Sequence, residues 1–570
     1  MPNNFADKQL VNPQTCPDIK QHSNSRWLSS ALSSLTILLL ISACGGGSSE
    51  DDPPPPPPPP PVSVSISPEK AARFLTQTTF GATSDSIDNL ADIGYQAWLD
   101  QQFAYPATLH LPLIMEYPDD DELTQNQRQE VWWRTALTAD DQLRQRVAFA
   151  LSGIFVVSDQ GILNETPYGL ANYYDILVRN AFGNYRDLLE EVTLSPMMGI
   201  YLSMLGNEKP NESLNIRPDE NFAREVMQLF SIGLVELNLD GTQQLDDSGS
   251  PILTYDQDII KAFAHVYTGW HFADNPSWYD VRVNVFESMK PFEDFHDTGE
   301  KRLLNGLVVP AGGTARSDLD AALDNLFNHP NVGPFITHQL IQSLVTSNPS
   351  PGYIERVSSI FNDNGQGERG DLGAVIKAIL TDDEAINIGA LQDTSFGKLK
   401  EPLLRFSQMW RAFNASAESG KFYFNNTSFF TGQAALSAHS VFHFFLPSYS
   451  PPGEISDAGL VGPEFQILDE NYLTYTLNVF AYTIFTQFQG GEDTDPDSIL
   501  IDISTELTLA DDPSALVEHL NLLLMAGQMP DNMKTELIAS IEAIPATEAH
   551  ARVLNTIFLV VISPQFSVQK

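Results

Sequence analysis

The sequence predicts a mainly α-helical protein with one small β insert. From Ser67 onward, apolar residues recur at helical spacing in segment after segment, as in helices that bury one face. Strand-like alternation is confined to 281–287, with 306–309 as a second, shorter candidate. No segment repeats at a fixed period, which disfavours a solenoid. We therefore expect a large single helical domain, with a division into two lobes left open.

The first helix is predicted to begin at Ser67. Its hydroxyl can cap the free backbone N–H groups, and Pro68 fits the first turn. A later helix is expected to start with a capping box formed by Thr254 and Gln257. The other segments with helical periodicity are 126–136, 140–157, 168–182, 218–236, 254–269, 317–328, 332–346, 351–361, 371–381, 396–413, 464–487, 512–526 and 546–561.

The N-terminal segment predicts export. Residues 27–43 form an apolar run behind basic residues, and small side chains immediately precede Cys44. This arrangement resembles the lipobox of bacterial lipoproteins, in which the cysteine is acylated and cleavage occurs just before it. We expect residues 1–43 to be a lipoprotein signal peptide and Cys44 to be the lipidation site, carrying palmitate or a similar chain. Because Gly45 is not the aspartate that retains lipoproteins in the inner membrane, the resemblance implies the outer membrane, facing the periplasm or the cell surface.

Residues 44–64 are predicted to link the lipid anchor to a folded ectodomain. The segment begins with glycine and serine and contains nine consecutive prolines, Pro53 to Pro61. Such a run forms a stiff extended rod of roughly 28 Å at about 3.1 Å per residue. No second segment of this composition follows, so 65–570 is interpreted as the helical ectodomain.

The composition excludes several classes of function. The 31 Lys and Arg residues are outnumbered by 73 Asp and Glu residues, and a formal net charge of −42 repels the phosphates of nucleic acid. With Cys16 and Cys44 as the only cysteines, neither a disulfide framework nor a cysteine-based zinc site can form. The chain contains no P-loop, GxGxxG, HExxH or GxSxG motif.

Ionisable residues that could support catalysis gather between 219 and 297. A carboxylate at the edge of an apolar helical face can have a raised pKa, and an Asp–His pair can transfer protons. Imidazoles and carboxylates could also bind a divalent metal, although the cofactor stays open. The predicted catalytic residues are Glu225, Asp258, His265, His296 and Asp297. The alternative is that each is an ordinary structural side chain.

Three further residues in this region are expected to bind substrate. They are Asn221, which precedes Glu225 by one helical turn, Trp270, and Lys301 in the loop that follows His296. Aromatic clusters such as Trp132-Trp133 could stack on sugar rings, although core packing explains them equally well.

Long stretches of the ectodomain resemble the bacterial domain-of-unknown-function 1800 family. The likeness begins with ARFLTQTTFG at 72–81 and covers nearly the whole ectodomain. The other matching segments include RQRVAFALSGIFVVS (144–158), ENFAREVMQLFSIGL (220–234), TYDQDIIKAFAHVYTGW (254–270), HDTGEKRLL (296–304), GKLKEPLLR (397–405), VFHFFLPSYSPPG (441–453) and VLNTIFLVVISPQF (553–566). The resemblance implies an exported protein and a partner from an exported family that resembles sulfatases.

Two functions are open at this stage. The first is a surface-tethered hydrolase that acts on an extracellular or envelope polymer through the residues named above. The second is a non-catalytic surface module that binds a partner protein or a glycan.

Overall fold

Helices make up almost all of the regular structure. The computed structural model describes residues 65–118, 123–280, 282–387, 395–485 and 495–570. The predicted signal peptide, Cys44 and the linker up to residue 64 lie outside the described residues. Within these ranges the predicted mainly α fold is confirmed. None of the helices in them is both long enough and apolar enough to cross a bilayer.

The helices are numbered in chain order. They are α1 Pro68–Thr78, α2 Ser84–Ala104, α3 His110–Ile114, α4 Gln125–Thr138, α5 Gln142–Ile154, α6 Pro167–Asn180, α7 Tyr185–Leu194, α8 Pro196–Tyr201, α9 Asn221–Gln228, α10 Gln257–Val266, α11 Ala315–Phe327, α12 Val332–Leu344, α13 Pro351–Asn362, α14 Leu372–Thr381, α15 Asp383–Ile386, α16 Pro402–Ala412, α17 Thr427–Thr431, α18 Glu454–Asp457, α19 Glu470–Phe485, α20 Ser504–Thr508, α21 Pro513–Met525, α22 Asp531–Glu542, α23 Ala549–Val561 and α24 Pro564–Ser567.

Strands in the described residues are short and pair two at a time. The three antiparallel sheets are β1 Trp270–His271 with β2 Lys290–Pro291, β3 Lys301–Arg302 with β4 Val308–Val309, and β5 Lys398–Leu399 with β6 Val568–Gln569. The short candidate at 306–309 is confirmed at β4.

The strand predicted at 281–287 is wrong for its described residues, 282–287. The Asn284 side chain accepts hydrogen bonds from the backbone N–H groups of Phe286 and Glu287, at 2.9 and 3.1 Å. An Asn that bonds to its own downstream backbone bends the chain and competes with a strand ladder. The alternating apolar residues Val283 and Val285 instead pack against the helical core.

Side-chain caps fix several helix starts. Ser67 accepts a hydrogen bond from the N–H of Lys70, which confirms the predicted start of α1. The capping box predicted at Thr254 and Gln257 is wrong. Asp256 caps α10 instead, because a carboxylate there accepts from two free N–H groups at once.

Most buried apolar side chains form one continuous core that runs from Ala71 to Phe566, and a small separate cluster comprises Ile114, Tyr117, Val131 and Ala171. Trp132 and Trp133 lie inside the continuous core, and the Trp133 ring packs edge-on against Trp410 with centroids 5.0 Å apart. The alternative interpretation of the Trp132-Trp133 pair as core is therefore confirmed.

The last described segment of the chain pairs with an internal strand and contacts the first helix. Lys398 pairs with Gln569, and Leu399 with Val568. In α1, Arg73 donates hydrogen bonds to the backbone oxygens of Lys570 at 2.9 Å and Ala385 at 2.6 Å. The first helix is thus tied to segments more than 300 positions away.

Candidate functional site

His265 and Asp297 form a hydrogen-bonded pair that solvent reaches. His265 lies in the last turn of α10, and its Nδ1 contacts Oδ2 of Asp297. Asp297 is fixed by its own N–H, which donates to Thr268 Oγ1 at 2.9 Å, and by the N–H of Gly299, which donates to its Oδ1 at 2.7 Å. The hydrogen bond to His265 lowers the pKa of Asp297 to about 2. The pair presents an oriented imidazole, 33% exposed, beside a carboxylate that favours its charged form.

His296 lies in a closed, buried network. Its Nε2 is 3.1 Å from Asp318 Oδ2, and its Nδ1 is 3.0 Å from the backbone oxygen of Thr268. Lys301 donates to the same Asp318 oxygen at 2.7 Å and to the backbone oxygen of Asp297. His296 and Lys301 are almost entirely buried in this network, and their roles in catalysis and substrate binding stay predictions. The network joins the loop before β3 to α11.

Gly269 allows two segments of this region to come close together. A Cβ at this position would lie 2.9 Å from the backbone nitrogen of His296, and the backbone has φ +84°. Only glycine combines this conformation with such a close approach at little cost.

Glu225 lies apart from the His265–Asp297 pair. It is buried on α9, its Oε2 has no hydrogen-bond partner in the described residues, and burial raises its pKa. Burial, with a smaller contribution from the nearby Glu225 carboxylate, raises the pKa of Tyr255 to about 12. Tyr255 precedes α10, whereas His265 is in its last turn, so Glu225 and His265 lie near opposite ends of that helix.

The remaining predicted residues are also separated. The Asp258 side chain is 88% exposed and pairs with Lys261 at 3.2 Å. It is seven positions from His265, about two helical turns or roughly 10 Å along α10. Asn221 is exposed at the start of α9, and Trp270 is buried in β1. The structure therefore brings together His265, His296, Asp297 and Lys301, and leaves Glu225, Asp258 and Asn221 elsewhere.

No group of three or more His, Cys, Asp or Glu side chains within the described ranges is arranged to hold a metal ion. His296 and His265 each contact one carboxylate, and these carboxylates belong to different residues, Asp318 and Asp297. A tight divalent site needs more ligands that converge on one point.

A second region is open to solvent and was not predicted. It is a groove of about 910 Å³. We call it the aromatic groove and define it by the rings of Trp410, Tyr423, Phe424, Phe430, Tyr475 and Tyr482. Its polar lining includes four amide side chains and two carboxylates, from Asn126, Gln127, Asn425, Asn478, Asp495 and Asp497.

Helix α19 forms one wall of the aromatic groove. The side chains that line the groove are spaced by three or four residues, as on one helical face: Tyr475, Asn478, Val479, Tyr482 and Thr483. The opposite face is buried through Thr476, Phe480 and Ile484. Tyr482 is 69% exposed although it lines the groove, so the helix presents a large aromatic face to solvent.

The rings of the groove are held by contacts with one another and with the core. Phe424 stacks parallel to Phe430 at 6.4 Å between centroids, and it meets Trp410 edge-on at 5.5 Å. Tyr423 is anchored by a hydrogen bond from its hydroxyl to that of Tyr117, at 3.1 Å. The Trp410 indole N–H is buried and has no partner in the described part of the chain. Contacts within the protein therefore hold Trp410, Tyr423, Phe424 and Phe430 in the wall of the groove.

Comparison with known proteins identifies the family. A family model described as "Protein of unknown function (DUF1800)" matches residues 73–568. The chain belongs to the DUF1800 family. No curated protein and no solved structure matches it.

The DUF1800 match covers both regions described above, so the family alone does not choose between them. None of the eight predicted catalytic and substrate-binding residues lines the aromatic groove. Tyrosine and asparagine residues recur at helical spacing in 471–483, and this pattern marks the groove face of α19. From the sequence alone the same pattern also fits a buried face, because only the structure shows that the opposite face of α19 is the buried one. The sequence also did not predict the role of Asp318, because its helical segment carries no pattern that distinguishes a carboxylate in contact with a buried histidine from an exposed one.

Proposed function

We propose that this DUF1800 protein is a lipid-anchored outer-membrane protein whose helical domain binds a glycan chain in the aromatic groove. The observation that carries the proposal is the combination of six rings with four amide side chains in one open groove of about 910 Å³. Sugar rings offer apolar C–H faces and many hydroxyl groups. Aromatic rings cover such faces, and amides both donate to and accept from hydroxyls.

The predicted anchor fits this role. A chain lipidated at Cys44 and extended by a proline rod of roughly 28 Å would hold the domain off the lipid surface, among envelope polymers. The strongly negative charge disfavours anionic polymers, so a neutral glycan is the expected ligand. The sulfatase-like partner stays a prediction from the family resemblance.

Binding of soluble oligosaccharides tests the proposal. Isothermal titration calorimetry would use the ectodomain from residue 65 onward with chitohexaose, cellohexaose and maltohexaose as probes. We expect at least one probe to bind with one site per chain. Replacing Tyr482 or Tyr475 by alanine removes one ring–sugar contact, which we expect to weaken that affinity by about twofold to tenfold.

Tyr279→Ala is the matched control, because Tyr279 is 78% exposed and lies outside the groove. It should leave the affinity unchanged. Absence of binding for all three neutral probes, or equal losses in the control and the groove variants, would contradict the proposal.

Hydrolysis of the same kind of polymer is a second candidate function, favoured by the His265–Asp297 pair. When Nδ1 of His265 donates to Asp297, its Nε2 can accept a proton from an attacking water. The same oligosaccharides, incubated with the ectodomain and followed by mass spectrometry, test this activity. His265→Ala should abolish any cleavage and leave binding in the groove intact. Unchanged cleavage in this variant would contradict the candidate.

A further inference from the structure

The chain contains two Asn-Gly dipeptides, Asn305-Gly306 and Asn364-Gly365. Such a dipeptide can react within itself, because the glycine nitrogen can attack the side-chain amide carbon of the asparagine. Glycine favours this attack since it has no Cβ that would shield its nitrogen. The fold places the two dipeptides in different surroundings, so their reactivity is expected to differ.

Asn305 and Gly306 lie in the exposed turn between β3 and β4. Their φ angles are +54° and +73°, in the left-handed region that favours asparagine and glycine. The geometry of the turn therefore explains why this pair of residues stands here. A Cβ added to Gly306 would meet no atom within 4 Å, which shows that neighbouring side chains do not cover the turn.

No contact holds the reacting atoms of Asn305 and Gly306. Within the described residues the Asn305 side chain makes no hydrogen bond, and the Gly306 N–H donates none of ordinary geometry. Two main-chain bonds close the turn, from Leu303 N–H to the Leu307 oxygen at 2.7 Å and from Leu307 N–H to the Leu304 oxygen at 3.1 Å. Neither bond uses an atom that reacts. The Asn305 side chain can therefore approach the Gly306 nitrogen when the turn flexes.

The reacting atoms of the second dipeptide are all engaged. Gly365 N–H donates to Oδ1 of Asp363 at 2.8 Å, which occupies the nitrogen that would attack. The half-buried Asn364 side chain donates to Oδ2 of Asp371 at 2.7 Å, and its oxygen accepts from Gln366 N–H at 2.9 Å. Each of these bonds stabilises the unreacted form and opposes the rearrangement that brings the two atoms together.

We propose that Asn305 is a site of spontaneous deamidation and that the fold protects Asn364 from the same reaction. The Gly306 nitrogen forms a bond to Cγ of Asn305, and its proton passes through solvent to the departing side-chain nitrogen, which leaves as ammonia. Water then adds to one of the two carbonyl carbons of the resulting succinimide ring and opens it. The products are aspartate and isoaspartate, in which the main chain runs through the former side chain. The net reaction consumes one water and releases one ammonia.

The products change the charge and the length of the turn. Both add one negative charge, and isoaspartate adds one carbon atom to the main chain. Leu304 is fixed on the other side of the site, because its N–H donates to Oδ1 of Asn325 at 3.0 Å and its oxygen accepts from Nδ2 of the same side chain at 3.1 Å. The added length therefore falls between Asn305 and β4, and we expect isoaspartate to loosen the pairing of β3 with β4.

Peptide mapping of the full chain tests the proposal. The protein is kept in mildly alkaline buffer, folded or unfolded in guanidinium chloride, and samples taken over time are digested with trypsin. Cleavage after Arg302 and Arg316 gives a peptide in which Asn305 has the only side-chain amide, so a gain in mass reports on this residue alone. In the folded protein we expect Asn305 to convert about tenfold or more faster than Asn364. In guanidinium chloride the two rates should be similar, because the dipeptides are the same.

Asn305→Gln is the matched variant. A glutamine side chain is one carbon longer, so attack by the Gly306 nitrogen would form a larger and slower-forming ring, and the gain in mass should disappear. Persistent gain in this variant would show that another group had reacted. For the wild-type chain, conversion of Asn305 in guanidinium chloride but not in the folded protein would overturn the proposed site. Equal rates for Asn305 and Asn364 in the folded protein would overturn the proposed protection.

Discussion

Oδ2 of Asp318 lies 3.1 Å from Nε2 of His296, and neither side chain reaches solvent. The same carboxylate oxygen accepts from Lys301 at 2.7 Å, so one acid on α11 serves a buried histidine and a buried lysine. Breaking a buried charge pair leaves the remaining charge uncompensated, which is far costlier than losing an exposed pair.

Asp318→Asn should therefore lower the free energy of unfolding by about 3 to 5 kcal/mol. Denaturant-induced unfolding followed by circular dichroism measures the loss. Asp324→Asn is the control on the same helix, because Asp324 is 60% exposed and pairs with Arg186 at 2.7 Å. The control should cost less than about 1 kcal/mol. Similar costs for the two variants would show that the buried network does not stabilise the fold.

Gly269→Ala should destabilise the domain more than Gly249→Ala. Both glycines have positive φ, at +84° and +82°, so both substitutions incur backbone strain of about 1 kcal/mol. Only Gly269 faces a neighbouring backbone, at His296, while a Cβ at Gly249 would meet open space. Comparing the melting temperatures of the two variants isolates the cost of the clash between the new Cβ and the His296 backbone. Equal melting temperatures would contradict the prediction that this clash destabilises the domain.

Glu225→Gln should stabilise the protein at pH 7 and lose that advantage in acid. Burial raises the pKa of Glu225, so the folded state holds its proton more tightly than the unfolded state does. The carboxylate therefore costs no stability at a pH below the pKa that Glu225 has in the unfolded chain. The cost to the free energy of unfolding is present once the pH has risen through the higher pKa of the folded state. Unfolding free energies at pH 4 and pH 7 test this. A Gln variant that is less stable at pH 7 would indicate that the carboxylate has a favourable partner.

Asp297→Asn should have the opposite pH dependence. The pKa of Asp297 is lowered to about 2, mainly by the hydrogen bond to His265. Its contribution to stability is therefore present above the unfolded pKa near 4 and is lost as the pH falls through about 2. Because the pair is partly exposed, we expect a difference of about 1 kcal/mol between wild type and variant at pH 6. Acid unfolding curves should converge near pH 2, and a constant difference down to that pH would contradict the assignment.

Helical periodicity predicted the fold class because it depends only on which face of each segment is buried. The start of α10 was less predictable, since Thr254 and Asp256 are both good caps and it is Asp256 whose carboxylate accepts from two free N–H groups. The alternation at 281–287 predicted a strand, but the local hydrogen bonds of Asn284 bend that segment.

The candidate site was only partly accessible to sequence reasoning. His265 and Asp297 are 32 positions apart, and their pairing depends on the loop that Gly269 brings close to His296. Glu225 and Asp258 belong to the same stretch of sequence, yet both lie near the first turn of α10, whereas Asp297 contacts His265 in its last turn. Closeness in sequence predicted that His265, His296 and Asp297 would lie in one region. It could not predict that His296 and Lys301 would both contact the same oxygen of Asp318.

The bonds from Arg73 to Ala385 and Lys570, together with the pairing of β5 with β6, affect how the chain is made. At ordinary rates of translation, a ribosome reaches position 570 roughly 25 to 100 s after position 73, a separation of 497 residues. During that time α1 lacks partners that it has in the finished domain. The contacts of α1 in the folded domain are therefore completed only after residue 570 has been made.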